Sequence, residues 1–580
     1  MTSTTVQRHA VVIRFAGDSG DGMQVTGAQL TNVSAIFGND VQTFPDFPAE
    51  IRAPAGTLPG VSGFQLCFSD HDIHTPGDAL DVLVAMNPAA LRMNIADLAT
   101  GGILLLNSDN FQAKELSKAK YSADPRDDDS LSGYQVFSIP MTELTLKAVE
   151  ELKLSHSQAK KCKNMLALGI VCWLFSRPLE STLEWLAQKY VKQEEMIKAN
   201  QLALKAGYNF AITAEFFAER YEVAKAQLKP GTYRQITGNE AIALAAGVAA
   251  SLTKRPVLLA GYPITPASSI LQSATKYAAL GLETFQAEDE IAAICAVIGA
   301  AFGGGLGITC TSGPGFDLKT EGLGLAVMTE LPIVLVDVQR AGPSTGMPTK
   351  SEQSDLAAAL YGRHGECPIP ILAPATPGEC FYMMLEALRI ACKYMTPVII
   401  LSDAYLSSSA EPWRLPDINV LPDLTLSFCR DPNALNPLQR DPHTLARPWA
   451  IPGTAGLEHR LGGLEKNVKT GDISYDPANH EAMVRLRAEK VARIISEITE
   501  VEIVGAATGD VLVIGWGSTY GAILTAVQNL QDEGLSVSFV HLRHLSPLPK
   551  QLDALITQFK TVMVAELNLG QLNAVLRAKY

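Results

Sequence analysis

At 580 residues the chain is too long for one hydrophobic core and calls for about three or four domains. Its composition, 47% apolar and 18% charged, is that of an ordinary globular protein. A net charge of -13 argues against a nucleic-acid or anionic-membrane surface, both of which need clustered Lys and Arg, and leaves only a local basic pocket open.

The N-terminus, MTSTTVQRHA, lacks the apolar stretch of a secretory signal, so a cytoplasmic protein is expected. From about Ala10 to Gln201, the strand-type runs AVVIRFAG, VSGFQLCFS, ALDVLVAM, GGILLLN and YQVFSIP alternate with helix-type runs, as in a parallel α/β domain. Gly17, Gly20 and Gly22 open the helix after the first strand. Such a turn offers free backbone N–H groups to an anion, but its spacing is not that of the dinucleotide fingerprint. A structural turn and a phosphate or coenzyme contact are equally open readings, and Asp18 and Asp21 would repel a phosphate unless a cation offsets them. Phe210 to Leu228 reads as a charged helical connector that ends at Lys229-Pro230-Gly231.

A second α/β block, from Tyr233 to about Ser409, has strands at PVLLAGYP, LETFQAE, LGITCTSGP, LPIVLVDVQ and TPVIILSD. Within it, Ile291 to Ile308 has the length of a membrane span. The run follows three acids, is rich in Ala and Gly and is broken at Gly303-Gly304-Gly305, so a buried helix and a glycine turn are expected. Glu411 to Val504 is proline-rich and then polar, a long connection containing the helical HEAMVRLRAEKVARIISEI. A third block starts at Asp510, with strands in DVLVIGWG, SVSFVHLRHL and TVMVAELN and a packing turn at VIGWGSTYG. The nine cysteines form no CxxC and no His/Cys cluster, so they are expected to be reduced, and an iron-sulfur cluster would sit on another subunit.

Three stretches of the second block carry chemistry. In GYPITPASS, Pro263 and Pro266 hold Ile264 and Thr265 in a stiff turn directly after a strand, able to present one hydroxyl. In QAEDEIAAICAVIGAAFGG, attraction to the helix dipole accounts for Glu288 and Asp289. Glu290 abuts the apolar run and needs a partner. One such partner is the aminopyrimidine of thiamin diphosphate, where a carboxyl on the ring nitrogen favours the imino tautomer that forms the ylid. In IVLVDVQRAGPSTGMPTKSEQSDL, Arg340 stands at a strand end, where open α/β sheets bind ligands, and its guanidinium suits a carboxylate. Pairing with an acid of its own domain is the alternative. Thr349 and Glu352 fit a capping box.

In their order and spacing, YPITPASS, AEDEIAAICAVIGAAFGG, TSGPG and QRAGPSTGMPTK resemble the α subunit of the 2-oxoacid:ferredoxin oxidoreductases, in the form with the γ domain fused ahead of it. The resemblance implies a multi-domain α/β fold of parallel-sheet domains. These are a γ-type domain at 8–205, a linker at 206–231, a thiamin-diphosphate pyrimidine-binding domain at 232–410, a long connecting segment at 411–504 and a transketolase C-terminal-like domain at 505–580. It carries Glu290 onto the cofactor-activating glutamate, and Tyr262, Pro263, Ile264 and Thr265 onto the motif beside the cofactor. Thr265 also falls on a substrate contact, and Arg340 on the arginine that binds the C1 carboxylate.

The resemblance further implies thiamin diphosphate shared with a β subunit that holds Mg2+ and a [4Fe-4S] cluster. CoA is the co-substrate, ferredoxin the electron partner, and a dimer of αβ heterodimers the assembly. Chains of this length are most similar to the 2-oxoglutarate enzymes, which form succinyl-CoA and CO2 or run in reverse. The second carboxylate of that substrate needs another cation. Arg363-His364 is a candidate, a solvent-exposed loop pair being the plainer reading and the β subunit another source. The alternatives are pyruvate or another 2-oxoacid as substrate, a non-oxidative thiamin lyase, a non-catalytic assembly subunit, or an NAD or FAD enzyme built on the glycine loops. Against the lyase, the GDG at Gly20 to Gly22 has no downstream Asn pair.

Overall fold

The computed structural model describes residues 4–49, 53–214, 217–433 and 439–580. The chain divides into two compact units, Met1–Gln235 with Ser409–Leu415, and Ile236–Ser408 with Pro416–Tyr580.

The first unit is built on a six-stranded sheet in the order Asp40–Asp46, Val61–Ser69, Ala10–Asp18, Leu80–Ala85, Leu98–Asn107, Gln135–Ile139. All five predicted runs are strands, and Asp40–Asp46 is an addition. The sheet is mixed, not parallel: Val61–Ser69 runs antiparallel to both of its neighbours. Parallel strands need a crossover connection, and the described residues between Asp46 and Val61 hold only the short turn Leu58–Gly60. Behind the sheet, the fully buried helix Lys163–Leu174 crosses the helix Glu194–Thr213 where each carries a glycine. A Cβ at Gly169 would lie 2.1 Å from Leu204 O, and one at Gly207 would lie 2.0 Å from Leu166 O, so only bare backbone permits this approach.

One further expectation for this unit changes. The connector after Thr213 is not helical, because Glu219–Val223 is a strand parallel to Thr4–Arg8. Its burial alternates, with Tyr221 and Val223 inside, a period of two that the charged composition obscures. The acidic glycine loop is neutralised from within: Asp21 Oδ1 meets Lys163 Nζ at 2.7 Å, Asp21 Oδ2 accepts from Asp18 N at 3.1 Å, and Asp18 Oδ1 accepts from Gly56 N at 2.9 Å.

The second unit holds a seven-stranded sheet in the order Leu282–Gln286, Val257–Gly261, Leu306–Thr311, Ile333–Gln339, Val398–Asp403, Ile371–Leu372, His544–Ser546. The first six strands are parallel, and His544–Ser546 joins antiparallel. A four-stranded sheet, Ile503–Val504, Val537–Leu542, Gly509–Trp516, Phe559–Val564, lies in the same unit. Its Leu512, Ile514 and Trp516 share one apolar core with Ala260, Ile294 and Leu335. The glycine turn there is a packing device: Gly517 adopts φ 58°, and Trp516 O accepts from Gln353 Nε2 at 2.6 Å.

The connecting segment is anchored on buried Glu330, which binds Arg440 and Lys490, while Arg447 donates to the carbonyls of Thr329 and Glu330. Burial alone would raise the Glu330 pKa, but Lys490 and Arg440 more than offset it and hold the carboxyl at about 2. Among the described residues, no helix is long and apolar enough to cross a membrane.

Candidate active site

The strands Leu282–Gln286, Val257–Gly261, Leu306–Thr311 and Ile333–Gln339 are adjacent and parallel, so their C-terminal ends share one edge of the sheet. The segments singled out in the sequence leave these four ends. They begin at Tyr262, Ala287, Ser312 and Arg340, at the edge where open α/β sheets place their ligands.

The first turn is locked by its own side chains. Ser268 Oγ accepts from Ile264 N and donates to Ile264 O, each at 2.8 Å, and Asn239 Nδ2 donates to Pro266 O at 3.0 Å. Tyr262 is buried beneath this turn, with its Oη 2.7 Å from Thr311 Oγ1 and hydrogen-bonded to Glu290. Burial and Glu290 raise the phenol pKa, so it remains an O–H. Pro263 and Thr265 are exposed, and Ile264 is half-buried against the apolar core.

Gly315 completes the floor. A Cβ there would lie 1.9 Å from Tyr262 Oη, 2.4 Å from Thr311 Oγ1 and 3.0 Å from Glu290 Oε1. The absence of a side chain lets three polar groups converge on the Gly-Pro-Gly turn.

The acid triplet divides its roles. Glu288 and Asp289 are exposed, and Asp289 Oδ1 caps the helix by accepting from Ala292 N at 2.8 Å. Glu290 is half-buried and directed to Tyr262. Its carbonyl accepts from Lys319 Nζ at 2.8 Å, and the same ammonium donates to Thr309 Oγ1 at 3.2 Å and lies 5.0 Å from the Tyr262 ring centroid. Lys319 is fully buried, and burial pushes its pKa down to about 8 against the opposing pull of Cys310 and Glu290. The helix Glu290–Phe302 is not the buried helix expected from its composition. Ala293, Ile294, Val297 and Ala301 face the core, while Ile291 is 57% and Phe302 43% exposed.

Arg340 is buried, and its Nη1 donates to Thr265 O at 2.7 Å while Nε has no partner. Burial lowers its pKa, and Tyr262, Asp337 and Asp355 resist the shift. The loop beyond Arg340 closes on itself: Met347 N donates to Ala341 O and Ala341 N to Lys350 O, each at 2.9 Å. Glu352 accepts from Gly342 N at 2.9 Å, so it ties the loop and does not form a capping box with Thr349. The next helix begins later, at Leu356.

Arg363 is not the exposed loop residue expected. It is buried, and its donors go to the carbonyls of Ala359, Leu360 and Cys367 at the end of the helix Leu356–Tyr361, while His364 is exposed. The residues that sequence reasoning passes over are Thr311, Gly315, Lys319 and Asp337. Only Asp337 carries a plain signal, an acid inside the apolar run IVLVDVQ. As a donor set, the half-buried Glu290 carboxyl beside the bare Gly315 backbone fits an aminopyrimidine, whose ring nitrogen pairs with a carboxyl and whose flat face suits a close backbone.

Residues 249–475 match the family described as "Pyruvate flavodoxin/ferredoxin oxidoreductase, thiamine diP-bdg", and residues 12–210 match "Pyruvate ferredoxin/flavodoxin oxidoreductase". The 2-oxoglutarate oxidoreductase subunit KorA of Mycobacterium tuberculosis is 53% identical over 572 residues, covering 98% of this chain and 87% of that protein. The chain belongs to the 2-oxoacid:ferredoxin oxidoreductase family. Within this family, the 2-oxoacid:ferredoxin oxidoreductase 1 subunit alpha of Aeropyrum pernix is 31% identical over 76% of this chain and 70% of its own length. The solved 2-oxoglutarate:ferredoxin oxidoreductase from Magnetococcus marinus, with 2-oxoglutarate, coenzyme A and succinyl-CoA bound, superposes with a TM-score of 0.85 at 33% identity, covering 98% of this chain and 94% of that one. The family and the multi-domain α/β fold expected from the motifs are borne out.

Proposed function

We propose that this chain is the α subunit of a thiamin-diphosphate-dependent, CoA-acylating 2-oxoglutarate:ferredoxin oxidoreductase. The observation that carries this reading is the convergence of Glu290, Tyr262, Thr311 and Gly315 at the sheet edge that also presents Arg340 and Thr265. The preference for 2-oxoglutarate is supported by the names of the Mycobacterium tuberculosis relative and of the Magnetococcus marinus structure.

Thiamin diphosphate, when bound, supplies a nucleophilic carbon and an electron sink for decarboxylation. Glu290 would stand against the pyrimidine ring nitrogen and hold at its Oε atoms a proton that it can give to that nitrogen, which favours the imino tautomer. Tyr262, a neutral O–H on Thr311 and Glu290, fixes the carboxyl's orientation. Pro263, Ile264 and Thr265 form the wall beside the ring. Arg340 binds the C1 carboxylate of the 2-oxoacid, and Thr265 stands beside it, since one guanidinium nitrogen already holds the Thr265 carbonyl. This preorganised geometry lowers the barrier by removing the cost of orientation.

A β subunit would complete the site with Mg2+, the diphosphate contacts and a [4Fe-4S] cluster, which would supply the electron route to ferredoxin, with CoA as the acceptor of the succinyl group. The assembly is a dimer of αβ heterodimers in the cytoplasm, and the reverse, CO2-fixing direction uses the same residues. The test is anaerobic viologen-dye reduction by the chain purified with its β subunit, using 2-oxoglutarate or pyruvate with and without CoA. CoA-dependent reduction selective for 2-oxoglutarate is expected. Equal use of pyruvate overturns the substrate choice, and no reduction with either overturns the activity.

A further inference from the structure

Asp337 lies in the fully buried strand Ile333–Gln339 and has 0% exposure, and neither of its carboxyl oxygens meets a well-directed hydrogen-bond donor. Its side chain is in hydrogen-bonding contact with that of Asp355, whose Oδ2 is likewise buried without a donor. Two touching carboxylates in such a site cannot both be charged. The hydrogen that satisfies both is one held between them. The groups facing the pair are the acids Asp317 and Glu352, the guanidinium of Arg340, the Ser354 hydroxyl and the Gly313 N–H. Burial and the neighbouring acid raise the pKa of Asp337 well above the carboxylate range, and burial raises that of Asp355.

The pair joins the two ends of the Arg340 loop. Asp337 lies on the strand that leads into Arg340, and Asp355 ends the loop that Arg340 begins. Beside the pair, Asp355 N donates to Gln339 Oε1 at 3.1 Å and Ser354 Oγ donates to Arg340 O at 3.0 Å. Ser354 is gripped in turn through Gln571 Nε2, which donates to its carbonyl at 2.8 Å. Gly313, the backbone neighbour of the pair, also touches the Arg340 stem: a Cβ there would lie 3.7 Å from Arg340 Cγ.

We propose that Asp337 and Asp355 share one proton, and that this proton pins the returning end of the 341–355 loop to its strand and so positions Arg340 for the substrate carboxylate. The proposal rests on the reading of Arg340 given above. With the proton in place the pair turns a single negative charge toward Arg340. Without it two charges repel each other across the loop's closure and compete with the substrate for the guanidinium.

The test uses the α chain assembled with its β subunit, as wild type, Asp337→Asn, Asp355→Asn and Asp337→Ala. At pH 8, where ordinary carboxyls are ionised, infrared spectroscopy of the wild type is expected to show the carbonyl stretch of a protonated acid, lost in Asp337→Asn. Either Asn variant supplies an N–H in place of the shared hydrogen, so KM for 2-oxoglutarate is expected to stay within about threefold of wild type. Asp337→Ala removes the bridge and is expected to raise KM about tenfold or more, with kcat changed less. A wild type with no protonated-acid band, or an Ala variant with wild-type KM, overturns the proposal. A wild type that oxidises no 2-oxoacid overturns the functional reading instead, and the infrared band then still decides the shared proton.

Discussion

Arg340 Nη1 donates to the Thr265 carbonyl at 2.7 Å, joining two segments 75 residues apart in the chain. The bond uses one edge of the guanidinium and fixes the direction of the rest. Lysine has one point charge and cannot serve both the carbonyl and a substrate carboxylate in that geometry. Arg340→Lys is therefore expected to raise KM for 2-oxoglutarate by about 10- to 100-fold, the loss of a charge-assisted hydrogen bond. Steady-state kinetics check this, and an unchanged KM contradicts the role.

Gly315 separates local crowding from ordinary helix propensity. A methyl there would overlap Tyr262 Oη at 1.9 Å, so Gly315→Ala must displace the tyrosine or the turn. A shift near 1 Å costs about a hundredfold in turnover, and adding Tyr262→Phe, which removes the clashing oxygen, is expected to recover part of that loss. A methyl at Gly324, inside the helix Thr320–Thr329, would meet nothing within 4 Å, so Gly324→Ala is expected to stabilise by up to about 1 kcal/mol with turnover retained. Thermal denaturation and dye reduction measure the two effects.

Lys319 gives a signed pH dependence. Burial holds its folded pKa at about 8 against an ordinary 10.5, so between these values the unfolded chain carries a proton that the folded chain lacks. Stability then rises with pH across that window. The ceiling is on the order of 3 kcal/mol. Urea denaturation between pH 8 and 10 is expected to show this contribution in the wild type and its loss in Lys319→Met; identical pH slopes contradict it.

Arg363 is expected to act in folding and not in substrate recognition, because its donors are committed to three carbonyls. Arg363→Ala leaves those buried acceptors unmet and is expected to cost about 1–3 kcal/mol of stability. KM for 2-oxoglutarate is expected to stay the same. A selective rise in KM for 2-oxoglutarate, with pyruvate unaffected, would return Arg363 to the substrate site.

Three of the four strand ends that build the site are legible in the sequence because they follow an apolar run, as with VLLA before Gly261 and IVLVDVQ before Arg340, while Leu282–Gln286 is mostly polar. Their adjacency is not legible, since periodicity does not reveal which strands pair. That is why Thr311 and Gly315, in a turn with little meaning alone, prove to be partners of Tyr262 and Glu290. Asp40–Asp46 escapes a sequence reading because Pro45 and its two acids disguise a strand. The helix Glu290–Phe302 reads as buried because its small apolar residues carry no polar face, and composition alone does not distinguish a core helix from one whose apolar side is open.

The most direct measurement is the rate of C2-proton exchange of thiamin diphosphate bound to the assembled enzyme, comparing wild type with Glu290→Gln. The glutamine side chain would keep the shape but could not pass a proton to the ring nitrogen, so exchange is expected to fall about 10²- to 10⁴-fold with the cofactor still bound. Exchange at the wild-type rate would contradict the assignment of Glu290 as the activating group.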